Sequence, residues 1–269
     1  MGITVLSCRT GVSGVDAQEP KVKSLAKALH ILECFTVQTP ELGVTELAEM
    51  NGITKSNAHN ILNTFQQGGY VEKLPNGKYT LGLKLLEFSY IINQHLGYPK
   101  AVYDLLLDTA TRSGEIVYFG LPHGTEILYL YVAHPIDRMR ELPYREMLGE
   151  HAPLYCTGIG KAILAALPEK EWPQRIPAER RRYTPSTITD YGAIMDELWR
   201  TRRRGYSIDN CEREYNVRCV GVPVYSSSGV LVGGISISGP IQSMTDAKML
   251  ECSKILADTA LRMKERIYH

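Results

Sequence analysis

The chain has 269 residues, 44% of them hydrophobic and 22% charged, with a formal net charge of +1 at pH 7. That length suits one large or two ordinary domains, and the composition is that of a globular chain and excludes a disordered one. The near-neutral balance gives no global electrostatic argument for nucleic acid, and no apolar run reaches the ~20 residues of a membrane span.

Residues 1–20 lack a basic stretch followed by an apolar core, so they read as a flexible tail and not as a secretory signal. Ser24 is placed to cap a first helix, with Leu25, Ala28, Leu29, Leu32 and Phe35 on one face. Thr45 is placed to cap a short helix over 46–50, and Asn51-Gly52 marks a tight turn. Thr54 then caps a longer helix whose Ala58, Ile61, Leu62 and Phe65 fall at i, i+3, i+4, i+7 and predict one buried stripe. Its other face carries Lys55, Ser56, Asn57, His59, Asn60 and Asn63, and Gly68-Gly69 ends it. Residues 70–74 and 78–81 read as two strands joined by Pro75-Asn76-Gly77. Two helices, a tight turn and a hairpin make a winged helix-turn-helix over 21–82, with a second helix sized for a major groove. Its charge is only slightly positive, six lysines against five glutamates over 21–83, so DNA affinity must depend on placement. Such modules also dock proteins, and both readings stand on the pattern alone.

Residues 84–96 bring Leu85, Phe88, Ile92 and Leu96 to near-helical spacing. A linker helix over 83–98 is expected, either as a dimerisation seam or packed on its own domain, with Gly97-Tyr98-Pro99 breaking it. Beyond, 99–269 changes character. A helix over 101–111 precedes a hairpin of 115–121 and 127–134, a further strand over 144–148, and a helix over 156–167. An amphipathic helix over 191–204 ends at Gly205; strands over 206–210, 219–225 and 230–238 and a closing helix over 246–268 follow. This is an α+β domain around one mixed sheet.

Candidate chemistry is sparse. Thr157-Gly158-Ile159-Gly160-Lys161 lacks phosphate-loop spacing, and Ala162 stands where a magnesium-binding hydroxyl is needed, which excludes nucleotide hydrolysis. What remains is either a carboxylate-binding helix start or a plain one. Ser236 and Ser238 alternate on one face of a strand and suit a polar ligand; Cys219, ten residues after Asp209, reads first as a packed thiol. The seven histidines show no metal spacing, no cofactor motif is present, and no nucleophile–base set stands at a diagnostic spacing. The arginine runs at 180–182 and 202–204 read as solvated helix flanks. The six cysteines (8, 34, 156, 211, 219, 252) show no CxxC pair, which fits a reducing cytoplasm.

The segments SLAKALHILECF, GVTELAEMNGITKSNAHNIL, GGYVEKLPNGKYTLGLKLLE, PLYCTGIGKAILAALP, RRRGYSIDNCEREYNVRCVGVPV and GGISISGPI together resemble the IclR-type bacterial transcriptional regulators from Lys21 onward. The resemblance implies a winged helix-turn-helix joined to a GAF-like effector domain, not an enzyme. It also implies dimers or tetramers on palindromic operators of double-stranded DNA, and a small organic, sugar or aromatic acid as effector. By position it implies an effector site at Gly158, Ile159, Asp209, Val217, Cys219, Ser236 and Ser238. The expected DNA-binding set is Lys55, Ser56, Asn57, His59 and Asn60 on the helix, with Lys73 and Lys78 on the hairpin. Asn60 stands where many members carry arginine, and Asn216 where many carry glycine. The rival reading is a GAF-like thiol redox sensor or enzyme using Cys219.

Overall fold

The computed structural model describes residues 19–96, 98–135 and 149–268, with the backbone alone for 96 and 98–101. The expected strand at 144–148 and nearly all of the expected tail lie outside the described residues. The chain divides into two compact units, Met1–His95 and Leu96–His269.

The first unit holds α1 (Lys23–Glu33), α2 (Val44–Met50), α3 (Lys55–Gln67), β1 (Val71–Lys73), β2 (Tyr79–Leu81) and most of α4 (Lys84–Leu96). Two expected caps are wrong. α1 starts after Val22 with no side-chain cap, so Ser24 lies inside it. α2 starts one residue before Thr45, because the Glu46 carboxylate reaches back to the Gly43 N–H at 2.7 Å and fixes the start there. Thr54 does cap α3, accepting from the Asn57 N–H at 3.2 Å. Ala58 and Leu62 are fully buried, and Leu62 packs with Ile31, Leu47, Val71 and Tyr79 in the small core of this unit. The hairpin turns at Gly77, whose φ of +80° explains a glycine there. A bridge absent from the sequence reading, Leu42 with Tyr79, adds a third short edge to the wing.

The second unit is α+β. Its elements are α5 (Tyr98–Ser113), β3 (Ile116–His123), β4 (Glu126–Ala133), β5 (His151–Pro153), α6 (Gly158–Ala166), α7 (Trp172–Arg175), α8 (Tyr191–Arg204), β6 (Ser207–Asn210), β7 (Val217–Tyr225), β8 (Leu231–Pro240) and α9 (Asp246–Arg266). The strand order is β5-β4-β3-β8-β7-β6. Every ladder in it is antiparallel, where the sequence reading expected a mixed sheet. The reason is local: β3–β4, β6–β7 and β7–β8 are joined by short connections, which permit only antiparallel neighbours. β8 is central and covered on both faces, so Gly233 to Gly239 form an unbroken buried run.

Each face carries its own core. On one, Val117, Phe119, Val220, Val222, Ile235 and Ile237 meet Leu105 and Leu106 of α5 and Cys252, Leu256 and Met263 of α9. α5 and α9 are also tied by ion pairs, Asp104–Arg266 at 2.7 Å, Asp108–Arg262 at 2.9 Å and Arg112–Asp258 at 2.9 Å. On the other face, Tyr118, Ile127 and Tyr129 meet Ile159, Ile163 and Leu164 of α6, Trp172 of α7, and Ile194 and Leu198 of α8.

The arginine runs are not simply solvated. Arg202 stacks on Trp172 and Trp199, at 4.7 and 4.8 Å, and donates to the carbonyls of Ala165 and Leu167 where α6 ends. Arg180 donates to Thr189 O at 2.5 Å and Pro177 O at 2.6 Å. Planar multi-donor guanidinium groups serve here as staples for loose carbonyls.

Candidate functional sites

Two sites merit description, one in each unit. On α3, Lys55, Ser56, Asn57, His59 and Asn60 are all exposed, opposite the buried Ala58–Leu62 stripe. Asn63, expected on the same face, is half-buried and contacts the His59 ring nitrogen at 3.3 Å, so it orients His59. On the wing Lys73 is exposed, with its ammonium 5.8 Å from the Tyr79 ring centroid. Lys78 is more restrained: its Nζ lies 3.6 Å from Glu46, the carboxylate that also closes α2. The face thus presents amides, a hydroxyl and an imidazole able to bond base edges, flanked on the wing by the exposed Lys73 and by Lys78, which shares its charge with Glu46.

The second site lies where α6 meets the sheet. Register brings the expected residues together. Asp209 pairs with Cys219, Cys219 with Ser238, and Gly221 with Ser236, so Asp209, Val217, Cys219, Ser236 and Ser238 share one face. The Cys219 Sγ and Ser238 Oγ are 3.0 Å apart. The first turn of α6 is laid on this row. A Cβ at Gly158 would come within 3.0 Å of the Cys219 Cβ, and a Cβ at Gly221 within 2.5 Å of the Gly158 carbonyl oxygen. Only glycines permit that approach. Ser207 donates to the same carbonyl at 2.5 Å and fastens the turn. Ile159 is buried beside Gly234.

One expectation here needs correction. A carboxylate-binding helix start would leave the N–H groups of Gly158, Ile159 and Gly160 outward and open, but that of Gly160 is taken by the capping hydroxyl of Thr157 at 3.1 Å. Those of Gly158 and Ile159 have no protein acceptor among the described residues.

The sequence reading missed the charges below the row. Lys161 and Glu212 form an ion pair with side chains only 1% and 5% exposed. A lone lysine in the apolar run GIGKAILAA was the available signal: a cation on the buried face of a helix requires an acid to meet it. Asp209, 2% exposed, accepts from the Glu212 N–H at 2.7 Å. Burial pushes its carboxyl up to about 7, against the opposing pull of Lys161 and with the help of Glu212. Burial likewise raises the Cys219 thiol well above its ordinary value, with the Asp209 charge adding and the Ser238 hydrogen bond opposing. Cys156 is raised too, by burial first and then by Asp209 and Glu212. Protonated, shielded thiols are poor nucleophiles, which weighs against thiol chemistry at this site. Asn216 adopts φ of +60°, the left-handed conformation that glycine takes most easily and asparagine tolerates best among the other residues.

Comparison with known proteins identifies the domains that carry the two sites. Residues 24–75 match the model of the IclR helix-turn-helix domain, and 99–265 that of the bacterial transcriptional regulator IclR C-terminal domain. The HTH-type transcriptional regulator XynR of Escherichia coli strain K12 is 30% identical over 250 residues, covering 92% of this chain and 98% of that protein. The crystal structure of the Thermotoga maritima IclR superposes with a TM-score of 0.73 at 31% identity, covering 92% and 99% of the two chains. An IclR homologue from Microbacterium hydrocarbonoxydans, solved with 4-hydroxybenzoate, shares the fold with a TM-score of 0.79 at 22% identity, over 91% and 98%. With a winged helix ahead of a ligand-domain fold, and with relatives that are regulators and not enzymes, the chain belongs to the IclR family of ligand-responsive, DNA-binding transcriptional regulators.

Proposed function

We propose that the chain controls the catabolism of a small hydroxylated organic, sugar or aromatic acid, and that this acid binds at the α6–sheet junction. The observation that carries the reading is the convergence of two unsatisfied N–H groups at a helix start with Asp209, Ser236 and Ser238 on one sheet face. A carboxylate suits the positive end of α6, and the hydroxyls and Asp209 suit ligand hydroxyl groups. Val217 and Cys219 supply apolar wall. The relative solved with 4-hydroxybenzoate supports an acid of this size in this fold. The test is a thermal-shift series with hydroxy acids on the full chain, repeated with Ser238→Ala. An acid at ~100 times its dissociation constant adds about 2.7 kcal/mol of stability. The variant should need several-fold more of the same acid while binding operator normally; an unchanged affinity would remove Ser238 from the site.

On the DNA side the reading is a cytoplasmic dimer, or a pair of dimers, on a palindromic operator. α4 is the support for assembly. Phe88 and Ile92 are 41% and 57% exposed, and Leu86, Tyr90 and Ile91, outside the expected seam, are 60–65% exposed. Leu85 is half-buried and Phe88 stacks on Tyr70 at 5.9 Å, so part of the expected seam packs within its own unit. The remaining apolar surface is best buried by a second copy, and a two-fold pair of α3 helices reads an inverted repeat. Sedimentation as a monomer at micromolar concentration would count against it.

A further inference from the structure

The acid-effector site as described holds no formal positive charge free for the ligand, because Lys161 is committed to Glu212. The turn between β6 and β7 supplies one. That turn is held from several sides. Cys211 adopts φ of +59° and Asn216 φ of +60°. The Glu212 N–H donates to Asp209, Thr184 Oγ1 donates to Cys211 O at 2.6 Å, and Thr187 Oγ1 donates to Glu212 O at 2.6 Å. At its centre stands Arg213. Its guanidinium carbon lies 4.3 Å from the Tyr183 ring centroid. Its Nε is buried without a hydrogen-bond partner, and no carboxylate lies within ion-pair distance of it among the described residues. Its own backbone N–H donates to Asp209, which ties the residue to the acid of the effector face, and its charge is felt at Tyr129 and at the Cys156 thiol.

A buried donor without an acceptor is costly, and a guanidinium stacked on a ring is already oriented for a planar oxyanion. A turn this constrained does not need the Arg213 side chain for its own closure, since the bonds that pin it are made by backbone N–H groups, that of Arg213 to Asp209 among them, and by the hydroxyls of Thr184 and Thr187. We infer that Arg213 seats a second anionic group of the effector, so that the ligand is a hydroxylated diacid: one carboxylate at the start of α6, hydroxyls at Asp209 and Ser238, and a second carboxylate at Arg213. The inference rests on the acid-effector reading above and narrows it.

The experiment compares matched hydroxylated pairs in which a hydroxymethyl group replaces the second carboxylate: tartrate against threonate, and galactarate against galactonate. Thermal-shift titrations are run on the full-length wild type, Arg213→Gln and Arg213→Lys. In at least one pair the diacid should bind the wild type tenfold or more tightly than its monoacid. Arg213→Gln should erase that preference while leaving the monoacid affinity within about twofold, and Arg213→Lys should keep part of it. A wild type that binds monoacids as well as diacids overturns the second seat but leaves the acid reading intact. Arg213→Gln retaining the full diacid preference overturns it as well. No shift with any of these acids overturns both. An unshifted melting temperature for ligand-free Arg213→Gln shows that the variant is folded, and Arg213→Lys carries the comparison if it is not.

Discussion

Replacing Lys161 by methionine tests the buried ion pair beneath the effector site. The substitution keeps the length of the side chain on α6 but strands the Glu212 carboxylate in a place where its side chain is 5% exposed and its Oε2 already lacks a partner. Breaking one member of a buried pair costs about 3–5 kcal/mol, whereas replacing both by apolar groups of similar volume is often neutral or stabilising. At about 2–4 °C per kcal/mol for a unit of this size, Lys161→Met should lower the melting temperature of residues 96–269 by roughly 6–20 °C. Lys161→Met with Glu212→Leu should recover most of it. Calorimetry on the full chain is the assay, with the winged unit as internal reference. The loss should also depend on pH. Without Lys161 the largest pull against the burial that raises the Asp209 carboxyl is gone, only backbone hydrogen bonds still oppose it, and protonating Asp209 relieves the strain of two acids in one dry site. The single variant should therefore lose less at pH 5 than at pH 8. A double variant as unstable as the single one, or a loss independent of pH, would refute the reasoning.

Two further outcomes follow from the same geometry. Asp209 has a folded-state pKa raised to about 7 from an ordinary 3.8, so its contribution is fully present below about pH 4 and is lost as pH rises through 7. Asp209→Asn should thus match the wild type near pH 4 and exceed it by a few kcal/mol at pH 8 in urea unfolding; an advantage equal at both values would show that Asp209 does not titrate in this window. Asn60→Ala should cost about 1–3 kcal/mol on the best operator and little on random DNA in gel-shift titrations, because asparagine pairs with adenine edges and not with the backbone; equal losses on both would remove the base-reading role.

The sequence made legible those features that are local. The boundaries of α8 were read to the residue, those of α4 within two, and the Thr54 cap, the Gly77 turn and the α3 stripe came from spacings of seven residues or fewer. The caps of α1 and α2 were misread because Ser24 and Thr45 compete with neighbours, and a bond from the Gly43 N–H to the Glu46 carboxylate outweighed a hydroxyl. What periodicity could not carry was partnership at long range. Lys161 and Glu212 are 51 positions apart, and Arg213 meets Tyr183 across 30, so neither appears as a motif. The seven residues of the expected effector set did come to one place, but resemblance, not spacing, had grouped them. The sheet was expected to be mixed because helices alternate with strands in part of the chain; hydrogen-bond pairing, which spacing does not encode, decided otherwise.

The central ladder of that sheet also bears on how quickly the chain can find its structure. β3 and β8 pair Ile116 with Ser238 and Gly120 with Gly234, joining segments more than a hundred positions apart. The β3–β4 and β7–β8 hairpins can form early, each from neighbouring sequence, but neither buries its inner edge until the two dock along this seam. Loop-closure entropy must be met before that docking is rewarded, so the search for it sets the rate. The winged unit closes through contacts of short range and should be complete first. Refolding from urea therefore divides into a fast phase and a slow one, and until the slow phase ends two unpaired strand edges remain open to other chains.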